Sequence, residues 1–150
     1  MNSPRWLSDE EQAAWRAYLD ATRLLMNTLD HQLVRDAQLS LTDFSLLVAL
    51  SEAPGRQLRM SGVADAVATS RSTVTRAMNR LVDKGWVERI PCVDDRRGAW
   101  AHLTPAGLAK LVDAAPAHVD EVRETMIDVL SPAELNVLAT SFQKIRDRLS

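Results

Sequence analysis

The sequence predicts a mainly helical fold with a small β wing and long helices toward both ends of the chain. Three observations predict it. The segment Ser70–Leu103 reads as a helix followed by two short strands around a charged tip. Both ends of the chain carry apolar residues three and four positions apart over long stretches. Basic residues collect in the middle: nine basic and five acidic between Arg56 and Trp100, against nine and fifteen elsewhere. That distribution, more than the net charge of −2, is the footprint of a chain whose centre meets phosphate. An uneven solvated surface is the alternative.

The first of these elements has two unlike faces. Val74, Met78, Leu81 and Val82 form one apolar stripe. Arg76 lies opposite Val74 at about 100° per residue. Ser72, Asn79 and Arg80 flank it, with Thr73 near the edge and Thr75 nearer the apolar side. Ser70 is placed as N-cap, its hydroxyl accepting from the free N–H groups of the first turn. Gly85 ends the helix where a left-handed residue is wanted. Trp86–Ile90 alternates like a half-buried strand. Pro91–Gly98 is a turn carrying Asp94, Asp95, Arg96 and Arg97, and Ala99–Leu103 returns. Helix, strand, charged tip, strand is the outline of a winged helix. The groove-facing set is Ser70, Arg71, Ser72, Thr73, Thr75 and Arg76, suited to base edges and phosphates of double-stranded DNA. Arg96 and Arg97 at the tip are suited to a minor groove or backbone. Asp95 is assigned to orienting Arg97.

In chain order, a helix is expected from Asp9 to about Ala37, with Trp15, Tyr18, Leu19, Thr22, Leu25, Met26, Leu29 and Leu33 on its apolar side. Ser40 or Thr42 caps a second, central helix, which Ala53-Pro54-Gly55 stops. Ser61 is expected to cap a helix to about Val67, which with the next helix makes a helix-turn-helix. Thr104-Pro105 starts a fifth segment, in which Leu108, Leu111, Val112 and Ala115 run inward and Val119, Val122, Met126, Val129 and Leu130 continue. Pro116 is expected to kink or break it. Ser131-Pro132-Ala133-Glu134 is a capping box. Leu135, Leu138, Phe142, Ile145 and Leu149 then follow at spacings of three and four, a narrow seam that wants a partner.

The run Leu81–Gly85, Val87, Arg89, then Asp95-Arg96-Arg97, then Leu103-Thr104-Pro105-Ala106-Gly107 resembles the MarR family of regulators. The resemblance covers essentially the whole chain and departs at Cys92-Val93, where many members carry Asp-Pro or Asn-Pro. It implies a single domain over 1–150. Helices at 9–37 and 104–149 would form a homodimer, and 40–103 would be the winged helix-turn-helix that meets DNA. It also implies a third strand near 57–60, a pseudo-palindromic operator, repression, and release by a small aromatic or carboxylate effector. Trp15, Arg16 and Tyr18 are the candidates for that ligand: a cation, a stacking ring and a hydroxyl close together. The other reading is a surface arginine beside packing aromatics.

Other chemistry finds little support. No phosphate loop, HExxH or nucleophile motif is present, and His31, His102 and His118 are scattered, so no enzyme, metal or cofactor is expected. Arg80 and Arg89 have structural readings, Arg89 pairing with Glu88 or a wing aspartate. Cys92 on an exposed wing with a nearby arginine invites a redox reading, against which stands an inert thiol. One cysteine, no spanning apolar run and no signal-peptide core lead to the expectation of a cytoplasmic protein, with no membrane contact. A winged-helix module that binds protein rather than DNA is the competing function, and salt-sensitive retention on DNA separates the two.

Overall fold

The computed structural model describes residues 3–150. Those residues form α1 (Asp9–Ala37), α2 (Leu41–Glu52), β1 (Gln57–Arg59), α3 (Met60–Ala66), α4 (Arg71–Asp83), β2 (Val87–Pro91), β3 (Ala99–Leu103), α5 (Pro105–Val122) and α6 (Pro132–Leu149). The strands make one antiparallel sheet in the order β1-β3-β2. By internal contacts the chain divides into two compact units. One joins the residues up to Leu29 with Glu121–Ser150, and the other is Asp30–Asp120. Leu33 and Ala37 of α1 and Leu111 and Ala114 of α5 are core residues of the second unit.

The core of the Asp30–Asp120 unit gathers Leu46, Leu47 and Leu50 of α2, Val63 of α3, Met78 and Leu81 of α4, and Ala101 and Leu103 of β3. α1 ends without glycine: Gln38 takes a left-handed φ of +56°, and the N–H groups of Gln38 and Leu39 return to the carbonyls of Val34 and Leu33. Ser40, not Thr42, caps α2, in a capping box with Asp43. Two polar side chains are buried in this unit, Gln32 and Asp43. The Gln32 amide donates to Asp36 at 3.1 Å, and its oxygen lies 3.0 Å from Nδ1 of His118. Hydrogen bonds from Arg35 and then Gln32 hold the Asp36 carboxyl below its ordinary range.

α3 corrects the expected cap. It begins at Met60, with Arg59 at the N-cap and no capping side chain, so Ser61 lies inside the first turn. The strand sets this start, because Arg59 is paired with Trp100 and the chain turns helical directly after it. In α4, Val74, Ala77, Met78 and Leu81 are buried. Gly85 follows at φ +74°, and the Trp86 N–H returns 3.0 Å to the Leu81 carbonyl. β2 starts at Val87 rather than Trp86, and only Val87 is buried. Being the edge of the sheet, β2 has solvent where a central strand would have a second packing face.

Thr104 joins the sheet to α5. Its hydroxyl accepts from the Gly107 N–H at 3.0 Å and donates to the Gly85 carbonyl at 2.7 Å. Pro116 does not break α5, which runs through it to Val122. Proline removes the hydrogen bond to residue i−4, here Val112. Val112 is 64% exposed. That exposure corrects Val112, and Val119 beside it, as inward-facing positions.

In the other unit, a π-turn over Arg123–Ile127 follows α5, and an Arg123–Asp128 ion pair spans it at 2.6 Å. The expected Ser131–Glu134 capping box opens α6. Accepting the Ser131 backbone and hydroxyl hydrogens holds the Glu134 carboxyl below its ordinary range. No residue of α6 is buried. Tyr18 stacks on Trp15 at 5.9 Å between ring centroids and meets Phe142 at 5.3 Å.

Candidate nucleic-acid interface

α4 and the wing each expose arginines on the Asp30–Asp120 unit. Ser70 caps α4 by accepting from the Thr73 N–H at 3.2 Å, and its hydroxyl donates to Thr73 Oγ1 at 2.8 Å. The Ser70 and Ser72 hydroxyls stand 3.2 Å apart. Thr75 donates to the Arg71 carbonyl at 2.9 Å. Ser70, Thr73 and Thr75 are thus committed in part to α4 itself. Arg71 and Arg76 are exposed and have no ion-pair or hydrogen-bond partner among the described residues. A cation with no internal partner keeps its donors for a ligand.

The wing tip is a closed loop. The Cys92 N–H donates to the Gly98 carbonyl and the Gly98 N–H to the Asp95 carbonyl, each at 3.1 Å. The Asp95 carboxylate accepts from the backbone N–H of Arg97 at 3.0 Å. It holds the main chain of the arginine and leaves the guanidinium outside. Arg96 and Arg97 are exposed, again with no side-chain partner among the described residues. Cys92 is buried, which removes the exposure that the redox reading needs. A β-carbon on Gly98 would approach its sulfur to 3.2 Å, so the thiol is packed under the tip.

Several side chains that fix this surface were missed or misassigned. Arg80, at the outer edge of α4, reaches back to the buried Asp43 of α2 at 2.8 Å. Arg89 pairs with neither Glu88 nor a wing aspartate; it donates to Asn79 of α4 at 2.5 Å and ties β2 to that helix. Glu88 instead meets His102 across the strands at 2.8 Å. Asp43 is not singled out by the sequence, and its arginine is 37 residues away. Proximity of that kind is created by the fold alone.

The other candidate residues lie in the end unit. Trp15 and Tyr18 come together, but Arg16 does not join them, and its guanidinium donates to Gln12 at 3.2 Å. Of the α6 seam, Leu135 and Leu138 are half-buried, while Phe142, Ile145 and Leu149 are exposed. Among the described residues no cluster of three potential metal ligands occurs, and no helix is long and apolar enough to cross a membrane.

A helix-turn-helix backed by a three-stranded sheet with a projecting tip defines a winged helix-turn-helix protein. Comparisons with known proteins narrow the class. The family model described as "MarR family" matches residues 37–98. A MarR family transcriptional regulator from Streptomyces coelicolor, solved in complex with DNA, is 41% identical with a TM-score of 0.93, over 98% of this chain and 92% of that one. AbsC, a MarR family transcriptional regulator from the same organism, is 39% identical with a TM-score of 0.89, over 97% of this chain and 98% of that one. The transcriptional regulator PecS of Dickeya dadantii is 30% identical over 116 residues, 76% of this chain and 67% of PecS. The chain belongs to the MarR family. These relatives are transcription regulators and not enzymes.

Proposed function

We propose that the protein binds double-stranded DNA in a sequence-specific way, as a homodimer on a pseudo-palindromic operator, and represses transcription there. One observation carries the reading: α4 and the wing tip both present exposed arginines whose side chains have no partner among the described residues, Arg71 and Arg76 on one, Arg96 and Arg97 on the other. α4 suits a major groove, where side chains meet distinct base-edge patterns. The wing suits a neighbouring minor groove or backbone. The relative from Streptomyces coelicolor solved with DNA supports the same reading. Homodimerisation draws support from α6, a helix with no buried residue and a run of exposed apolar side chains. A dimer would place two copies of α4 in successive major grooves about one helical turn apart.

Binding to a mixed-sequence duplex over a range of salt tests this directly. The logarithm of affinity is expected to fall steeply and linearly with the logarithm of salt concentration. Selection from a random pool is expected to return an inverted repeat. Salt-independent retention, or no enriched sequence, would favour the protein-binding module instead.

The reading extends to a small aromatic or carboxylate effector that releases DNA, supported by the stacked Trp15 and Tyr18 rings with Arg16 on the same helix. To pair with a carboxylate, Arg16 must exchange its Gln12 hydrogen bond for the charge-assisted one. Arg16→Ala is then expected to keep DNA affinity and blunt release by benzoate-type ligands in a competition titration. Unchanged release would remove Arg16 from the site.

A further inference from the structure

Arg59 belongs to neither of the two arginine pairs above, yet the fold brings it to the wing. It is the last residue of β1, and its register partner on the central strand is Trp100. Its guanidinium carbon lies 5.2 Å from the centroid of the Trp100 ring. A β-carbon on Gly98 would stand 3.6 Å from Arg59 Nη1 and 3.3 Å from Asp95 Oδ2. The guanidinium is therefore near both the indole and Gly98, the residue after Arg97. No carboxylate pairs with it among the described residues. A π face attracts a cation without neutralising it and leaves the N–H edge of the fork free.

Trp100 is well placed to hold that geometry. It is half-buried on the central strand, with Ile90 of β2 as its register partner on the opposite side from Arg59. A planar guanidinium laid on a packed ring has little rotamer freedom left to lose, which is how preorganisation favours binding. The position also discriminates between targets. Arg59 stands at the end of β1 beside the closing residue of the wing turn, Gly98, a position suited to the backbone that flanks a groove rather than to the groove floor. The fork suits the two oxygens of a phosphate.

We propose that Arg59 is a third basic contact of the wing, a clamp on a DNA phosphate, and that Trp100 is its positioning residue. This rests on the reading of the wing as a DNA-contacting element. The test uses the full-length protein, a fluorescein-labelled mixed-sequence duplex and a duplex recovered by selection, titrated at several salt concentrations. The variants are Arg59→Ala, Arg97→Ala, Trp100→Phe and Trp100→Leu. Arg59→Ala is expected to weaken both duplexes by the same factor and to flatten the salt slope by about 0.9, one phosphate's worth. Trp100→Phe, which keeps a ring face, is expected to hold the wild-type slope and affinity. Trp100→Leu is expected to weaken binding, and to weaken it much less when Arg59 is already alanine. If Arg59→Ala changes neither slope nor affinity while Arg97→Ala changes both, Arg59 is only a cover for the indole: the proposal falls and the wing reading stands. If the wild-type protein shows no salt-dependent binding at all, both fall. Urea denaturation of each variant separates lost binding from lost folding, and Arg59→Ala alone decides the clamp.

Discussion

Alanine at Gly107 is expected to destabilise the protein severely. In isolation the change would help, because alanine favours a helix over glycine by about 1 kcal/mol. The surroundings reverse the sign. A β-carbon built there would lie 2.1 Å from the Trp86 carbonyl oxygen and 2.7 Å from the Leu103 side chain. The first is a main-chain atom that also accepts the Thr104 N–H at 3.1 Å, so it cannot step aside without breaking the junction between sheet and α5. Overpacking costs roughly 1–3 kcal/mol and occasionally more, and a clash with backbone belongs at the upper end. Gly62 is the control. It lies inside α3, and nothing comes within 4 Å of its β-carbon position. Gly62→Ala is expected to leave stability unchanged or raise it by up to about 1 kcal/mol. Urea denaturation of the pair checks both signs. Equal stability of the Gly107→Ala and wild-type proteins would show that the sheet–α5 junction yields.

The double substitution Ile145→Glu with Leu149→Glu is expected to give a folded monomer. Ile145 is 52% exposed and Leu149 81% exposed in the single chain. Carboxylates at these positions therefore cost the protomer little, but they put unpaired charge into the proposed dimer seam. Leu138 and Phe142 in the same seam are poorer targets. Leu138 is half-buried, and Phe142 already packs on Tyr18 of its own chain. Sedimentation with a far-ultraviolet spectrum tests the expectation. A double mutant that stays dimeric would move the interface off the end of α6.

What the sequence disclosed, and what it withheld, divides along a physical line. Local signals were legible. Ser70 as cap, Gly85 in the left-handed region, the Ser131–Glu134 box and the α4 stripe each depend on residues within about two helical turns. The MarR resemblance rested on such signals, and the fold agrees with it. Ser61 misled because a serine before an apolar run is a cap only if the chain is free to place it there, and the pairing of Arg59 with Trp100 was not. Pro116 predicts a kink or break, and α5 continues through it, because one lost hydrogen bond does not end a helix that the neighbouring turns still hold. The arginines show the limit most clearly. Arg76 and Arg80 stand one turn apart on α4, and in sequence Arg80 has a structural reading that does not name the residue it holds. Arg80 is tied to Asp43, and Arg76 has no internal partner among the described residues. Only the fold separates a residue that holds α4 in place from one that is available to a ligand.

The central claim is that α4 reads sequence while the wing supplies affinity. Titrating Arg76→Ala and Arg97→Ala against a selected operator and a scrambled duplex, at several salt concentrations, tests it most directly. Arg76→Ala is expected to cost about 1–3 kcal/mol on the operator and much less on the scrambled duplex, because a base contact is lost. Arg97→Ala is expected to weaken both duplexes alike and to flatten the salt slope by about 0.9 if one phosphate contact is lost. Equal losses on both duplexes for Arg76→Ala would contradict the claim and make Arg76 a phosphate contact.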